Sequence, residues 1–178
     1  ETMAIVGESG SGKTITALAL MGLLPPKSIV NGKILFHSNE YDKINLLDTD
    51  PKKRSKINGN RISMIFQEPM TALNPLLTCG KQLVDVIGEH LGLDKAAAQK
   101  KAIELFDKGQ LPLPQEIFKK YPHQISGGQR QRVMIAMAIS CNPNLLIADE
   151  PTTALDTKVQ HGIMQLLKKL QQENQMSI

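Results

Sequence analysis

"GESGSGKT", Gly7 to Thr14, follows the apolar run Met3-Ala4-Ile5-Val6 and leads into ITALALMGLL, residues 15–24. A strand-like run, a glycine-rich turn, Lys-Thr and then an apolar helix satisfy G-x-x-x-x-G-K-[ST] in the context that gives this spacing its meaning. Gly7, Gly10 and Gly12 leave room for backbone N–H groups to curl around a phosphate, where side chains would block the approach. Glu8, Ser9 and Ser11 complete the loop. Lys13 is placed to reach the β- and γ-phosphates of a nucleotide, and the Thr14 hydroxyl offers a ligand for Mg²⁺. The stretch predicts a bound nucleoside triphosphate.

Two further stretches bear on the same chemistry. In "LLIADE", four apolar residues end in Asp149 and Glu150. A buried strand that stops at Asp149 puts a carboxylate at the C-terminal edge of a sheet, where it can hold the Mg²⁺ shell. Glu150, one residue past the strand, is the candidate general base for a water beside the γ-phosphate, a role that needs an ionised carboxylate within hydrogen-bond reach. In "YPHQISGGQRQRVMIA", Ser126 is followed three residues later by Gln129. That spacing is a capping box, which satisfies N–H groups left free at a helix start. The same N–H groups can instead face a phosphate. Spacing alone leaves both open.

Working outward, Met3–Glu8 reads as a strand and residues 13–24 as a helix ended by Pro25-Pro26. GKILFHS, residues 32–38, reads as a strand of a small β region, and the polar stretch from Asn39 to Asn60 as loop and short turns. RISMIF, residues 61–66, is a buried strand leading into Gln67. Leu83, Ile87 and Leu91 recur at helical spacing. Asp94 is a candidate cap for a second helix with Ala98, Ala102, Leu105 and Phe106 on its apolar face, ended by Pro112 and Pro114. A helix to Cys141, the strand LLIA and a last helix bearing Val159, Ile163, Leu167 and Leu170 close the pattern. Met134 and Met137 fit a core face. Strand–helix alternation at both ends predicts an α/β fold whose mostly parallel sheet is flanked by helices.

Composition narrows the classes. The 178 residues carry 21 Lys+Arg against 17 Asp+Glu, a net charge of +4 without a dense basic face. Lys52-Lys53-Arg54, beside Pro51, reads as a solvated loop, so nucleic acid finds little to bind. Cys79 and Cys141 stand apart without a CxxC pair, as two reduced buried thiols would. No apolar run approaches the roughly 20 residues that span a bilayer. Only Glu1 and Thr2 precede the first apolar run, and "MSI" at the end reads as a strand just starting. The expectation is a piece truncated at both ends.

The ordered set of glycine loop, Gln67 after MIF, Ser126-Gly127-Gly128-Gln129, LLIADE and Thr153-Ala154-Leu155-Asp156 resembles the nucleotide-binding domain of ATP-binding cassette (ABC) proteins over nearly the whole chain. The resemblance implies a P-loop NTPase fold with a small antiparallel β region and an inserted helical subdomain: residues 1–70 and 127–178 as ATPase core, about 71–126 as helices. It implies ATP and Mg²⁺ as cofactors, with Thr14, Gln67 and Asp149 around the metal. By the same resemblance Ser126, Gly128 and Gln129 contact the γ-phosphate of ATP held by a second, facing domain, in a homo- or heterodimer. Gln67 touches Mg²⁺ or the attacking water, and Asp156 crosses the dimer interface near the partner's P-loop. Ile125 stands where the family usually has Leu, an apolar swap.

"GESGSGKTITALALMGLLP", "MIFQEPMTALNPLLT" and "LLIADEPTTALD" look like the ATPase subunits of bacterial oligopeptide, dipeptide and nickel importers. That likeness implies transmembrane permease subunits as partners, indirectly a solute-binding protein, and a peripheral place on the cytoplasmic face of the bacterial inner membrane. A soluble cassette switch, or a cassette ATPase acting on nucleic acid, is the alternative. The family's adenine-stacking aromatic upstream of the P-loop and its switch histidine have no match here, since His37, His90, His123 and His161 stand at other places. The 178 residues alone are therefore expected to bind Mg-ATP weakly and to hydrolyse it negligibly.

Overall fold

The chain runs through α1 (Lys13–Met21), β1 (Leu35–Phe36), β2 (Ile44–Asn45), α2 (Pro51–Ile57), β3 (Ile62–Ile65), α3 (Cys79–Leu91), α4 (Lys95–Lys108), α5 (Pro114–Lys119), α6 (Gly127–Ala138), β4 (Leu145–Ala148) and α7 (Thr157–Asn174). Single 3-10 turns cover Leu46–Asp48 and Pro122–Gln124. This computed structural model describes residues 1–38, 40–67, 72–153 and 155–178. The boundary read at residues 70 and 71, the residues Glu68–Thr71 of the MIFQEPMT stretch, Asn39 and Ala154 lie outside the described residues.

β3 and β4 are parallel neighbours, with Ile62 opposite Leu145 and Ile65 opposite Ala148. Side chains alternate across a strand, so this short sheet divides two cores. Ile62, Met64, Leu145 and Ile147 face α1 and the small β region, packing with Met21, Phe36, Leu46 and Ile57. Ile65 and Leu146 face the larger core of Leu83, Ile87, Phe106, Ile117, Ile135 and Ile163, drawn from α3 to α7. Burying each such side chain contributes about 1.5–3 kcal/mol. The small region is antiparallel: Leu35 pairs Asn45 and Phe36 pairs Ile44.

Helix starts follow a common local rule. Asp50, Thr78, Asp94, Ser126 and Asp156 each accept, at the N-cap side chain, the N–H three residues on. Such caps contribute about 1 kcal/mol each. Leu83, Ile87, Ala98, Ala102, Leu105, Phe106, Ile163, Leu167 and Leu170 are buried as their spacing predicts, and so is Met134. Ser177 bridges Leu145 in parallel, the strand onset expected in MSI.

Several expectations are corrected. Met3–Glu8 forms no strand. Its pairing is confined to the Met3 N–H on Ile178 O at 2.8 Å and the Ile178 N–H on Glu1 O at 2.9 Å. Beyond that contact the segment has no ladder to join, and Val6 is left 91% exposed. The polar stretch 39–60 is not all loop. It holds β2, a 3-10 turn and α2, and Lys52-Lys53-Arg54 belongs to that helix. α1 ends at Gly22, in the left-handed region at φ 66°, before the prolines. α4 likewise stops before Pro112, with Gly109 as its cap. Pro114 opens a helix instead of closing one, because a proline in the first turn has no needed N–H to lose. α6 ends at Ala138, not Cys141.

Candidate functional site

Residues 7–12 form a tight, exposed loop ahead of α1. The Ser11 N–H donates to Glu8 O at 3.2 Å. A Cβ on Gly7 would fall 2.5 Å from Ser11 Oγ, so any side chain there would force the Ser11 hydroxyl to turn away. Gly12, at φ 92°, is the N-cap of α1 and provides no side-chain acceptor. The first-turn N–H groups of α1 thus have no capping side chain and remain available to an anion. Lys13 lies back along the loop, its Nζ donating to Gly7 O at 2.9 Å and Glu8 O at 3.1 Å.

The next residue joins this loop to the sheet. Thr14 Oγ1 donates to Asp149 Oδ1 at 3.2 Å, across the end of β4. Asp149 is 8% exposed, and its own N–H donates to Ile65 O at 3.0 Å, which fixes it at the sheet edge. A hydroxyl and a buried carboxylate facing one another beside the glycine loop are oxygen donors suited to a hard cation. Mg²⁺ is commonly held in this way, by one or two protein oxygens with phosphates and waters completing its shell. Among the described residues there is no cluster of three or more His, Cys, Asp or Glu that would hold a metal alone.

Glu150 and Gln67 also meet. Gln67 Nε2 donates to Glu150 Oε2 at 2.9 Å, and Thr153 Oγ1 donates to the same oxygen at 3.1 Å. Two donors on one oxygen leave the other free to accept a proton from a water. Glu150 reaches this position with its backbone at φ 45°, in the left-handed region that favours glycine. Sequence reasoning missed Thr153 as a partner of Glu150. Its spacing of three residues after the acid was the available signal, since hydroxyls at that distance bridge turns.

The start of α6 carries the capping box that its sequence predicts. Gln129 Oε1 accepts the Ser126 N–H at 2.9 Å, and Ser126 Oγ accepts the Gln129 N–H at 3.3 Å. A Cβ on Gly128 would fall 2.8 Å from Val159 Cγ1 of α7, so glycine lets the two helices approach. Asp156 caps α7, its Oδ1 accepting the Val159 N–H at 3.0 Å. The starts of α6 and α7 are thereby adjacent. Cys79 and Cys141 are both buried free thiols, and burial pushes the Cys79 thiol up to about 11. Protonated and enclosed, it is no nucleophile.

The family model for the ABC transporter matches residues 1–153. The chain belongs to this family. Among solved structures it resembles a dimeric ATP-binding cassette in a post-hydrolysis state bound to ADP and Pi, with a TM-score of 0.79 and 33% identity over 96% of this chain and 69% of that one. That structure is an ATP-binding cassette, so the chain shares the P-loop NTPase fold of such cassettes. Two similar curated proteins come from Bacillus subtilis (strain 168). The oligopeptide transport ATP-binding protein AppD is 49% identical over 178 residues, all of this chain and 53% of that protein. The dipeptide transport ATP-binding protein DppD is 48% identical over 180 aligned residues, all of this chain and 52% of that protein. The glutathione import ATP-binding protein GsiA of Salmonella paratyphi A (strain ATCC 9150 / SARB42) is 49% identical over all of this chain and 29% of that protein. The chain spans about half the length of the first two. Among the described residues of this cassette, no helix is long and apolar enough to cross a membrane.

Proposed function

We propose that this chain is the ATP-binding and ATP-hydrolysing part of a subunit that energises peptide import through membrane partners. The observation that carries the proposal is the convergence at one sheet edge of the uncapped α1 start, the Thr14–Asp149 pair and the Gln67–Glu150–Thr153 cluster. The loop N–H groups of residues 7–14 take the β-phosphate, and Lys13 exchanges the Gly7 and Glu8 carbonyls for phosphate oxygens. Thr14 and Asp149, with Gln67 nearby, would hold Mg²⁺, which would supply neutralisation of the phosphate charge. Glu150 accepts the proton of a water whose oxygen bonds to the γ-phosphorus. The bond from that phosphorus to the bridging oxygen breaks, and ADP leaves with the bridging oxygen.

A second cassette completes each site in the proposed dimer. Ser126, Gly128 and Gln129 face the γ-phosphate bound by the partner, and Asp156 lies at the interface. The adjacency of the α6 and α7 starts supports this, as does the dimeric state named for the similar solved cassette. We read residues 1–70 and 127–178 as the ATPase core and about 71–126 as a helical subdomain. The surface near Gln67 and the Leu76–Leu91 region is proposed to meet the permease subunits. That arrangement sets the cassette at the cytoplasmic face of a bacterial inner membrane. The similar proteins are named for oligopeptide, dipeptide and glutathione transport, which favours peptides over nickel.

Glu150→Gln tests the proposal, because it keeps shape and hydrogen bonding but removes the base. In the full-length protein, ATP binding is expected to persist while hydrolysis falls at least about a hundredfold. ATP-bound dimers should accumulate. Phosphate release at the parental rate would place the base elsewhere.

A further inference from the structure

α1 carries Lys13 and Thr14 on its first turn, and its last turn is held from outside. A helix ends with four carbonyls that have no partner within it. Here these belong to Leu18, Ala19, Leu20 and Met21, and every one is occupied. The Leu23 N–H donates to Leu18 O at 2.9 Å and the Gly22 N–H to Ala19 O at 3.0 Å. The other two are taken by side chains of α2 and its C-cap: the Arg54 guanidinium donates to Leu20 O, and the Asn58 amide donates to Met21 O at 2.7 Å. Arg54 reaches on to Leu46 O at 2.9 Å, tying the same clamp to the 3-10 turn.

This arginine has no acidic partner among the described residues. Burial alone pulls its pKa below the ordinary value. A cation set on helix carbonyls, at the negative end of the dipole, is stabilised there without a carboxylate. Gly22 belongs to the same arrangement, since a Cβ on it would stand 3.3 Å from Arg54 Nε. By contrast, little packing fixes the other end of α1. Met21 is its only buried residue, and Ile15 is exposed.

We infer that Arg54 and Asn58 are positioning residues for the phosphate grip: by fixing the C-terminal end of α1, they set where Thr14 stands relative to Asp149. The inference rests on the proposed ATP-binding role. α1 is about 13 Å long at 1.5 Å per residue, so a tilt of about 5° at the clamped end moves Thr14 by about 1 Å. The glycine loop travels with α1, so its own phosphate contacts survive such a tilt. Asp149 follows β4 directly, is tied to β3 by its N–H on Ile65 O, and does not travel. The shared metal position between Thr14 and Asp149 is therefore what a loosened clamp degrades.

The experiment compares full-length parent, Arg54→Gln, Asn58→Ala and Arg54→Lys by two readouts. Hydrogen exchange without nucleotide reports the order of α1. Calorimetric ATP affinity, with Mg²⁺ and with EDTA, reports the grip. Arg54→Gln and Asn58→Ala are expected to speed exchange across α1 but not α6, and to weaken Mg-ATP binding about tenfold, within the range that 1 Å displacements produce. Affinity in EDTA should change far less, and Arg54→Lys should restore part of the Mg²⁺ effect. A merely structural role would lower the melting temperature while leaving the ratio of the two affinities at its parental value, and that result overturns the inference. Should Arg54→Gln fail to fold, Asn58→Ala and Arg54→Lys carry the same test. A parent with no Mg²⁺-assisted ATP binding would overturn the proposed function, and with it the positioning role; faster α1 exchange in the variants would still register the clamp.

Discussion

Two helices of this cassette begin on glycine-rich turns, and they begin in opposite ways. α1 starts on Gly12 with no side chain over its N–H groups, and Lys13 rests on carbonyls of its own loop. α6 starts on Ser126 with donor and acceptor exchanged reciprocally between Ser126 and Gln129. The first is an open anion site, and the second is closed on itself. At the open start only Lys13 must leave its carbonyls, whereas at the closed start the helix N–H groups themselves must trade one hydrogen bond for another. The proposed dimer contact asks for such a trade, because the helix has to be stable alone.

The largest test of this contrast is Ser126→Asp. Aspartate caps a helix about as well as serine, so the closed start survives while a negative charge is added. If a partner's γ-phosphate comes within about 4 Å, the repulsion is about 4 kcal/mol at an effective dielectric near 20. Light scattering of the Glu150→Gln background with ATP should show dimers, and the double variant should remain monomeric while still binding ATP. Equal dimerisation would reduce the α6 start to a cap.

Lys13→Ala attacks the open start instead. Losing a charge-assisted contact costs about 1.5–3 kcal/mol, so calorimetric ATP affinity should fall at least about tenfold and turnover should vanish. Unchanged affinity with an intact circular dichroism spectrum would remove Lys13 from the site. Gly128→Ala sharpens the comparison from the packing side. Its Cβ meets Val159 Cγ1 at 2.8 Å, and overpacking of this kind costs about 1–3 kcal/mol. Thermal unfolding should register the loss, and a parental melting temperature would show that α6 and α7 can separate freely. The same contact makes Ser126 a cleaner place than Gly128 for an added charge. Smallest is Ser126→Ala, which should cost about 1 kcal/mol of stability in urea unfolding, the value of a cap. No loss would mean that Gln129 or water closes the helix start unaided.

The elements most legible in the sequence were those whose signal is local and repeated. The glycine loop, the β3 and β4 runs and the caps at Asp94 and Ser126 are where residue spacing placed them. The apolar stripes at Leu83–Ile87 and Ile163–Leu170 are buried accordingly. α2 went unread because Lys52-Lys53-Arg54 suggested solvent, although Asp50 before Pro51 is a helix-start signal. Charge there hides a packed arginine, since the partners of Arg54 are carbonyls, which have no sequence signature. Met3–Glu8 failed for the converse reason. Apolar content predicts a wish to pair, and pairing needs a neighbour that residue type cannot supply. Of the candidate site, Thr14 with Asp149 and Gln67 with Glu150 are brought together across 135 and 83 residues of chain. Thr153 was read only as part of a motif, and its bond to Glu150 was missed because its role is to hold another side chain.

Glu150 stands at φ 45°, where a non-glycine backbone is unfavourable by about 1–3 kcal/mol. A glycine there would relax the turn at once, so a search for tolerance to heat alone would discard the carboxylate that Gln67 and Thr153 hold. A lineage keeping Glu150 thus carries a standing thermodynamic handicap at this one residue, and under its proposed role as the base, selection on turnover is the force that would maintain it.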